Sequence, residues 1–556
     1  MRPFIRPALA ASLLGLALLS NSRGAEPAPA PAAPTELRPG WWRDAVFYEI
    51  FVRSFADATH GPLAGDGVGD LQGLIDHLDY LNDGRGAGGS SLGVTALWLM
   101  PISPSPSYHG YDVTDYFAVH PQFGDVALCR RFVQEAHRRG IRVIIDFVLN
   151  HSSNRHPLFQ AALAAPRGSD ARQLFRFAAL PEQLVGPWEQ RAWHPADDDF
   201  YYGVFSPEMP DWNFRSPAVT EHHRRAAKFW LQEVGVDGFR LDAVRYFIET
   251  GDELQDTEAT RQWLREFTAY CHAVKPGSFV VGENTAHSPE IARGIRGGSL
   301  DSSFEFDLTR ATFEAIALRT PGILTQQEER LHALYGRDVP WSSFLTNHDQ
   351  DRISDKLGGQ DAKLAFAAKL FFAQPGVPFV YYGDELGMTG AKPDPELRTP
   401  MPWTGDAPNA GFTGPDVRPW HAVTGEYRSR NVAREQADPR SLWSLYRRLI
   451  RLNATSPALR HGDPVAVRSS HRRVYAALRS AGDEVVLVLA NFDDQPVRAY
   501  TLEAAQSPLV SGAPGHEEID GVAITAPALQ AGGGFHDWQP TAELPAHAVY
   551  IVRWKR

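Results

Sequence analysis

Eight apolar runs of strand length, separated by longer stretches of helical periodicity, constrain this chain more than any other feature. They are Tyr48 to Val52, Thr95 to Pro101, Val143 to Leu149, Phe239 to Val244, Phe279 to Glu283, Ser303 to Asp307, Phe344 to Asp349 and Phe379 to Gly383. Strands that alternate with helices build parallel β/α units, and eight such units close into a barrel. A typical barrel uses about 250 residues, or about 31 per unit. By that measure Asp242 to Glu283 is about one unit and Glu283 to Asp349 about two. Acids at these three positions therefore belong to the ends of strands four, five and seven, at the edge where barrels of this kind carry their chemistry.

Three runs stop at a carboxylate: Gly238-Phe239-Arg240-Leu241-Asp242, Phe279-Val280-Val281-Gly282-Glu283 and Phe344-Leu345-Thr346-Asn347-His348-Asp349. An apolar strand that ends in an ionised group is costly unless that end faces a cleft. Asp242 follows Arg240 by two residues, so both side chains share one face of a strand. The guanidinium is expected to keep this carboxylate ionised and hold it still.

The rest of the chain divides around this barrel. With 556 residues, two to four domains are expected. Arg2 and Arg6 precede an apolar stretch from Ala8 to Leu19 that is short for a membrane span, and small residues follow at Ser20, Ser22, Gly24 and Ala25. This grammar predicts a cleaved export signal over residues 1–25, followed by an Ala/Pro linker over 26–40, and hence a secreted or periplasmic protein with no membrane association after cleavage. The interval from Asp146 to Asp242 exceeds one unit by roughly 60 residues, and the surplus over 152–213 reads as an inserted subdomain. Leu442 to Leu452 has the pattern of an amphipathic helix. Beyond it, segments such as Val474 to Arg479, Glu484 to Asn491 and Ala548 to Trp554 predict an antiparallel β-sandwich over 461–556, with the barrel occupying 41–151 and 214–460. Cys129 and Cys271 fall in separate helical patterns, so two buried thiols are expected, although an oxidising compartment permits a bridge. A net charge of −11 with no basic stripe argues against nucleic acid as a partner.

With a fourth segment, Val143-Ile144-Ile145-Asp146-Phe147-Val148-Leu149-Asn150-His151, these motifs resemble, in order and spacing, the α-amylase superfamily of glycoside hydrolases. The resemblance implies a (β/α)8 TIM barrel with a B domain inserted after strand three and a C-terminal β-sandwich. It also implies that Asp242 is the nucleophile, Glu283 the general acid/base, and Asp349, with His348 beside it, the third acid that grips the sugar. Such a Glu283 needs a raised pKa, which repulsion from Asp242 and Asp349 is expected to supply. Ser107 to Tyr116 resembles the loop after strand two, where Tyr111 would stack on the sugar ring and His109 would bond its hydroxyls; His151 would reach the same glucose. Arg240 and Arg398 join the implied substrate-binding set, and Asp146 reads as a support for Arg240.

Finer features of the resemblance bear on specificity. Ala243 follows the nucleophile as in relatives that cut α-1,4 bonds. Met209-Pro210-Asp211-Trp212-Asn213 is intermediate between the oligo-1,6-glucosidase and neopullulanase groups. Tyr108 stands where exo-acting relatives place an Asp that closes the pocket, which implies an open cleft, while Arg398-Thr399-Pro400-Met401-Pro402-Trp403 resembles the exo group. Arg245 and Tyr246 replace the Lys and His that would meet the leaving-group sugar, and Arg245 is expected to take over that contact. Asp57, Asp66, the Val68 carbonyl and Asp70 resemble a calcium loop, lengthened here around Thr59 to Ala64; alternating acidic oxygens suit Ca²⁺. The expected function is that of a monomeric, retaining, endo-acting α-glucan hydrolase on α-1,4 bonds of starch or maltodextrins. An exo-acting α-glucosidase or a transglycosylase is the alternative, and a non-catalytic glucan-binding or transporter-associated barrel the remote one.

Overall fold

Each of the eight runs forms a strand: Phe47–Ile50, Ala96–Leu99, Arg142–Phe147, Gly238–Leu241, Phe279–Gly282, Ser302–Ser303, Ser342–Phe344 and Val377–Tyr381. The computed structural model describes residues 37–181, 185–336, 341–405 and 408–556, so the export signal and most of the Ala/Pro tract lie outside the described residues. The strands pair in parallel in the order seven, eight, one, two, three, four, five, six. A single parallel bridge between Phe304 and Ser342 then joins strand six to strand seven and closes a (β/α)8 barrel.

Period-two alternation explains both the plug of the barrel and the position of its acids. Inward-facing residues form one aromatic cluster, with Phe47 stacked on Phe379 at 4.2 Å between ring centres, Trp98 tilted against Phe304 at 5.4 Å and Phe304 edge-on to Phe379 at 4.9 Å. Trp42 stacks on Phe279 at 4.6 Å ahead of the first strand. Two residues beyond Phe47, Ile144 and Val281, the same faces carry Glu49, Asp146 and Glu283. Strand four can approach strand five only because Gly238 has no side chain; a Cβ there would come within 2.0 Å of the Phe279 carbonyl oxygen.

Strands six and seven end earlier than the sequence pattern suggests. Phe306, read as strand, already opens a helix that runs to Leu318. Strand seven stops at Phe344. There the Asn347 side chain accepts the Asp349 amide at 3.1 Å, a local turn that takes this amide out of the ladder. Asp349 thus stands on a loop rather than on a strand end.

The long interval between strands three and four contains the helix Pro157–Ala164 and a three-stranded antiparallel sheet of Phe177–Ala178, Asp199–Tyr202 and Trp193–Ala196. Bridges from His151 to Asp211 and from Phe175 to Trp212 anchor it beside the strand ends. Downstream, Ser441 caps the helix Leu442–Thr455 through the Ser444 amide. A six-stranded and a three-stranded sheet follow as the C-terminal β-sandwich. Along Glu484–Asn491, Val485, Leu487 and Leu489 enter the sandwich core, whereas Val486, Val488 and Ala490 join the barrel core. Cys129 and Cys271 are both buried and free. No helix among the described residues is long and apolar enough to cross a membrane.

In the loop after strand one, the carboxylates of the expected calcium set also accept backbone and hydroxyl donors. Asp57 accepts the amides of Gly65 at 3.0 Å and Gly67 at 2.9 Å and the Thr413 hydroxyl at 2.5 Å. Asp70 accepts the amides of Ala58, Gln72 and Gly73 at 2.7–2.9 Å, capping the helix Leu71–Asp76, and Asp66 accepts the Val68 amide at 2.8 Å. A carboxylate offers about four acceptor positions, and N–H or O–H donors take three on Asp57 and three on Asp70. Among the described residues no group of three or more His, Cys, Asp or Glu is placed to hold a metal ion. After the extra residues Thr59 to Ala64, the Gly65 and Gly67 amides turn back onto Asp57. If the loop holds Ca²⁺ as the sequence leads one to expect, EDTA lowers the melting temperature in a thermal-shift measurement; an unchanged value overturns the site. A calcium site filled at about 100 times its Kd would contribute about 2.7 kcal/mol, and its loss would lower the melting temperature visibly.

Candidate active site

Strands one, three, four and five aim their last inward-facing residues at one point, and the residue there is Arg240. Its Nη1 donates to Asp146 Oδ1 at 3.0 Å and to Asp242 Oδ1 at 2.7 Å, and its Nη2 lies 3.0 Å from Glu283 Oε2. The guanidinium is buried beside the Trp98 ring, 5.1 Å from its centre. Asp242 follows the last strand residue, and the chain then turns sharply: Ala243 has φ 51°, a region in which small residues cost least. This turn points the Ala243 amide at Glu283 Oε2, 3.4 Å away.

A second polar cluster stands beside the first. His348 is held between two carboxylates, with Nδ1 2.6 Å from Glu49 Oε1 and Nε2 3.1 Å from Asp349 Oδ2. Burial alone would lower its pKa, but these two acids outweigh burial and raise it to about 9, so the ring is an imidazolium at neutral pH. Asp349 also meets Arg398 Nη2 at 2.8 Å. Burial would raise its pKa, yet His348 and Arg398 hold it well below the usual carboxylate range. Tyr111 ties the two clusters together, because its hydroxyl donates to Asp146 Oδ2 at 3.0 Å and lies 2.6 Å from His348 Nε2. Its ring stacks between His348 and His109.

The electrostatics separate the two central acids. Glu283 is raised to about 7, first by burial, then against Arg240 and with help from Asp242 and Asp349. Asp242 is raised to about 6, again first by burial, with Arg240 opposing. Two sequence expectations are thereby corrected. Like-charge repulsion supports the Glu283 shift but does not dominate it, and Arg240 limits the rise at Asp242 without reversing it. The order survives: Asp242 loses its proton before Glu283 does.

These groups line a cavity of about 400 Å³. His109, Tyr111, His151, Asp242, Arg245, Glu283, Asp349 and Arg398 all reach it, so eight of the ten expected catalytic and binding residues converge; Arg240 and His348 lie directly behind. His151 and Arg245 are held by partners outside the cluster of acids. His151 points Nε2 at the Tyr111 carbonyl, 3.1 Å away, and burial lowers its pKa to about 4. Arg245 grips Asp256 through Nε and Nη2 and gives Nη1 to the Thr285 hydroxyl at 3.0 Å. The metal set of Asp57, Asp66, Val68 and Asp70 lies outside this cavity.

Sequence reasoning missed Glu49, although an acid within the apolar run Phe47–Ile50 gives the same signal as Asp242. It also missed Trp188 and Phe205, which reach the cavity from loops, and Asp394, which opens the short helix Asp394–Leu397.

Comparison with known proteins agrees with this geometry. The family model for the α-amylase catalytic domain matches residues 49–462. Alpha-amylase 3 of Dictyoglomus thermophilum is 36% identical over 457 residues, covering 82% of this chain and 85% of that protein. The oligo-1,6-glucosidase of Parageobacillus thermoglucosidasius is 28% identical over 532 residues, covering 82% and 91%. The crystal structure of an α-amylase from H. orenii superimposes with a TM-score of 0.76 at 33% identity, covering 92% of this chain and 99% of that one. A barrel with three acids gathered at the carboxyl ends of its strands, matched along most of its length, belongs to the α-amylase family of glycoside hydrolases and transglycosylases that act on α-glucans.

Proposed function

We propose that the protein is a retaining hydrolase of α-1,4-glucosidic bonds in maltodextrins or starch. The observation that carries this reading is the sharing of one guanidinium by Asp242 and Glu283. Two carboxyl groups held on neighbouring nitrogens suit the close spacing of retaining enzymes, about 5–5.5 Å, better than the wider gap that accommodates a water between them. In the first step Glu283 gives its proton to the glycosidic oxygen while Asp242 attacks the anomeric carbon, and the bond to the leaving group breaks. In the second step Glu283, now a base, takes a proton from water as the water oxygen displaces Asp242. Asp349, ionised and 42% exposed at its side chain, faces the sugar hydroxyls, with Arg398 and His348 fixing its orientation.

We read the action as endo. Tyr108 stacks on Trp420, with ring centres 5.6 Å apart, so that an aromatic platform stands where a closing carboxylate is absent. Asp394, beside it, keeps a side-chain exposure of 36%. The modest volume of about 400 Å³ favours a second reading, in which short saccharides are trimmed from one end. Export to a secreted or periplasmic location and a monomeric state belong to this proposal and rest on the sequence pattern.

Three measurements test it. Glu283→Gln should lower kcat by about 10²–10⁴-fold with little change in melting temperature; an active Gln variant overturns the assignment. The pH profile of kcat/KM should be a narrow bell. Activity falls below about 6 as Asp242 takes up its proton and above about 7 as Glu283 loses its own, and both limbs belong to the coupled pair. Digestion of maltoheptaose should yield a ladder of intermediate fragments at early times, whereas glucose as the dominant early product would select the exo reading.

A further inference from the structure

His348 presents both ring nitrogens to acceptors, and that arrangement fixes its charge. Nδ1 lies 2.6 Å from Glu49 Oε1, while Nε2 lies 2.6 Å from the Tyr111 hydroxyl oxygen and 3.1 Å from Asp349 Oδ2. An ionised carboxylate only accepts, so Nδ1 carries a proton. Tyr111 has one hydroxyl proton and gives it to Asp146 Oδ2, 3.0 Å away. Its oxygen is left to accept, and Nε2 therefore carries a proton too. Neutral imidazole has a single N–H, so the imidazolium is the form that satisfies every contact.

Glu49 stands behind the cavity rather than in its lining. Strand one holds it in register between Trp98 on one side and Tyr381 on the other. With 2% exposure it is closed off from water, so its charge reaches His348 with little screening. The remaining groups around the ring have other partners. Asp146 and Glu283 share Arg240, and Arg398 gives Nε to the His348 carbonyl at 2.9 Å and Nη2 to Asp349 at 2.8 Å. The Trp98 ring meets the imidazole edge-on at 5.6 Å and brings no acceptor. Behind Glu49 lies Asp384, which burial raises to about 8 and which the Thr346 hydroxyl and Arg352 hold. Glu49 is thus the acid committed to Nδ1.

We propose that Glu49 is a positioning residue of the reaction: its buried carboxylate holds His348 as the imidazolium, and that cation in turn keeps Asp349 ionised and oriented toward the sugar. The inference rests on the hydrolase reading above, in which Asp349 faces the hydroxyls of the reacting glucose. Glu49 acts through His348 and touches no reacting atom. Burial works against the charge on His348, and Asp349 and Glu49 outweigh it. A glutamine at Glu49 would preserve the shape and still accept from Nδ1, but it would bring no charge, and His348 would release its proton at a lower pH. The ring would then turn a lone pair toward Tyr111 and Asp349, leaving Arg398 as the cation that holds the third acid.

The test compares wild type with Glu49→Gln by thermal melting and by kinetics on maltotriose. His348 titrates at about 9, above the ordinary histidine value, so its share of stability is complete below that ordinary value and is lost as pH rises through about 9. The Gln variant should therefore melt below wild type at neutral pH, and the gap should shrink by about half or more at about pH 10. In a His348→Gln background the same substitution should show little of that shrinkage, which separates His348 from Asp384. On maltotriose, kcat should fall about 10²-fold with a smaller change in KM, and Glu49→Asp, which keeps the charge, should recover most of the loss. A gap that does not vary with pH, one that shrinks equally without His348, or an Asp variant no more active than the Gln variant overturns the proposal. If the Gln variant does not fold, the Asp variant decides alone: a kcat within about tenfold of wild type supports the role of charge, and a larger loss overturns it. Failure of the wild type to release sugar from maltotriose overturns the hydrolase reading, while the melting comparison still decides whether Glu49 sets the charge on His348.

Discussion

One buried guanidinium sets the geometry on which the site depends. Arg240 has no route to water, and an unpaired charge at its position would cost several kcal/mol. Asp146, Asp242 and Glu283 offset that cost, yet three carboxylates exceed what one cation neutralises. Burial first, and the surplus negative charge after it, keeps a proton in the cluster at neutral pH, and Glu283, raised to about 7 against about 6 for Asp242, is its holder. The guanidinium opposes the rise of both while it fixes the positions of the acids. A planar fork is needed for this, because two terminal nitrogens address separate carboxylates at defined angles; a lysine ammonium would neutralise the cluster without arranging it.

The same strand faces serve stability and chemistry, two residues apart. Aromatic rings fill the interior at Phe47, Phe279, Phe344 and Phe379, and the next inward positions on strands one, three and five hold acids. Continuity between plug and site is physical as well as topological. Trp98 packs against Phe304 below and lies against Arg240 and His348 above. Nothing soft separates the core from the reacting groups, so the acids inherit the rigidity of a close-packed interior.

How much of this was legible in the sequence follows the same division. Asp242 and Glu283 could be placed because a strand has a fixed period and a barrel a fixed direction, so a carboxylate closing an apolar run has one destination. Glu49 carried the same signal but was read as part of its run, since Ile50 and Phe51 continue it. Asp349 was assigned to a strand because the local turn made by Asn347 leaves no trace in hydrophobic pattern. Trp188 and Phe205 reach the site from irregular segments, and Asp394 from a single helical turn, where position depends on packing that no periodicity encodes. The acidic loop after strand one is legible only in part. Its composition matches a cation site, and the fold adds backbone amides as donors to the same carboxylates. Composition reports which oxygens are present and says nothing of which donors the chain folds onto them.

The closure of the barrel through one bridge, between Phe304 and Ser342, has a further consequence. Elsewhere neighbouring strands share a ladder, whereas this joint has one bridge, with the Glu305 amide on the Ser342 carbonyl, a Ser302–Ser342 hydroxyl contact, and Phe304 packed against Phe344 and Phe379. So few backbone bonds resist sliding less than a full ladder does. On warming, the circumference would loosen here first, and the loop that emerges immediately after carries Asp349. Loss of catalytic competence on heating would then precede global melting, with the third acid drifting out of register while the other two remain clamped.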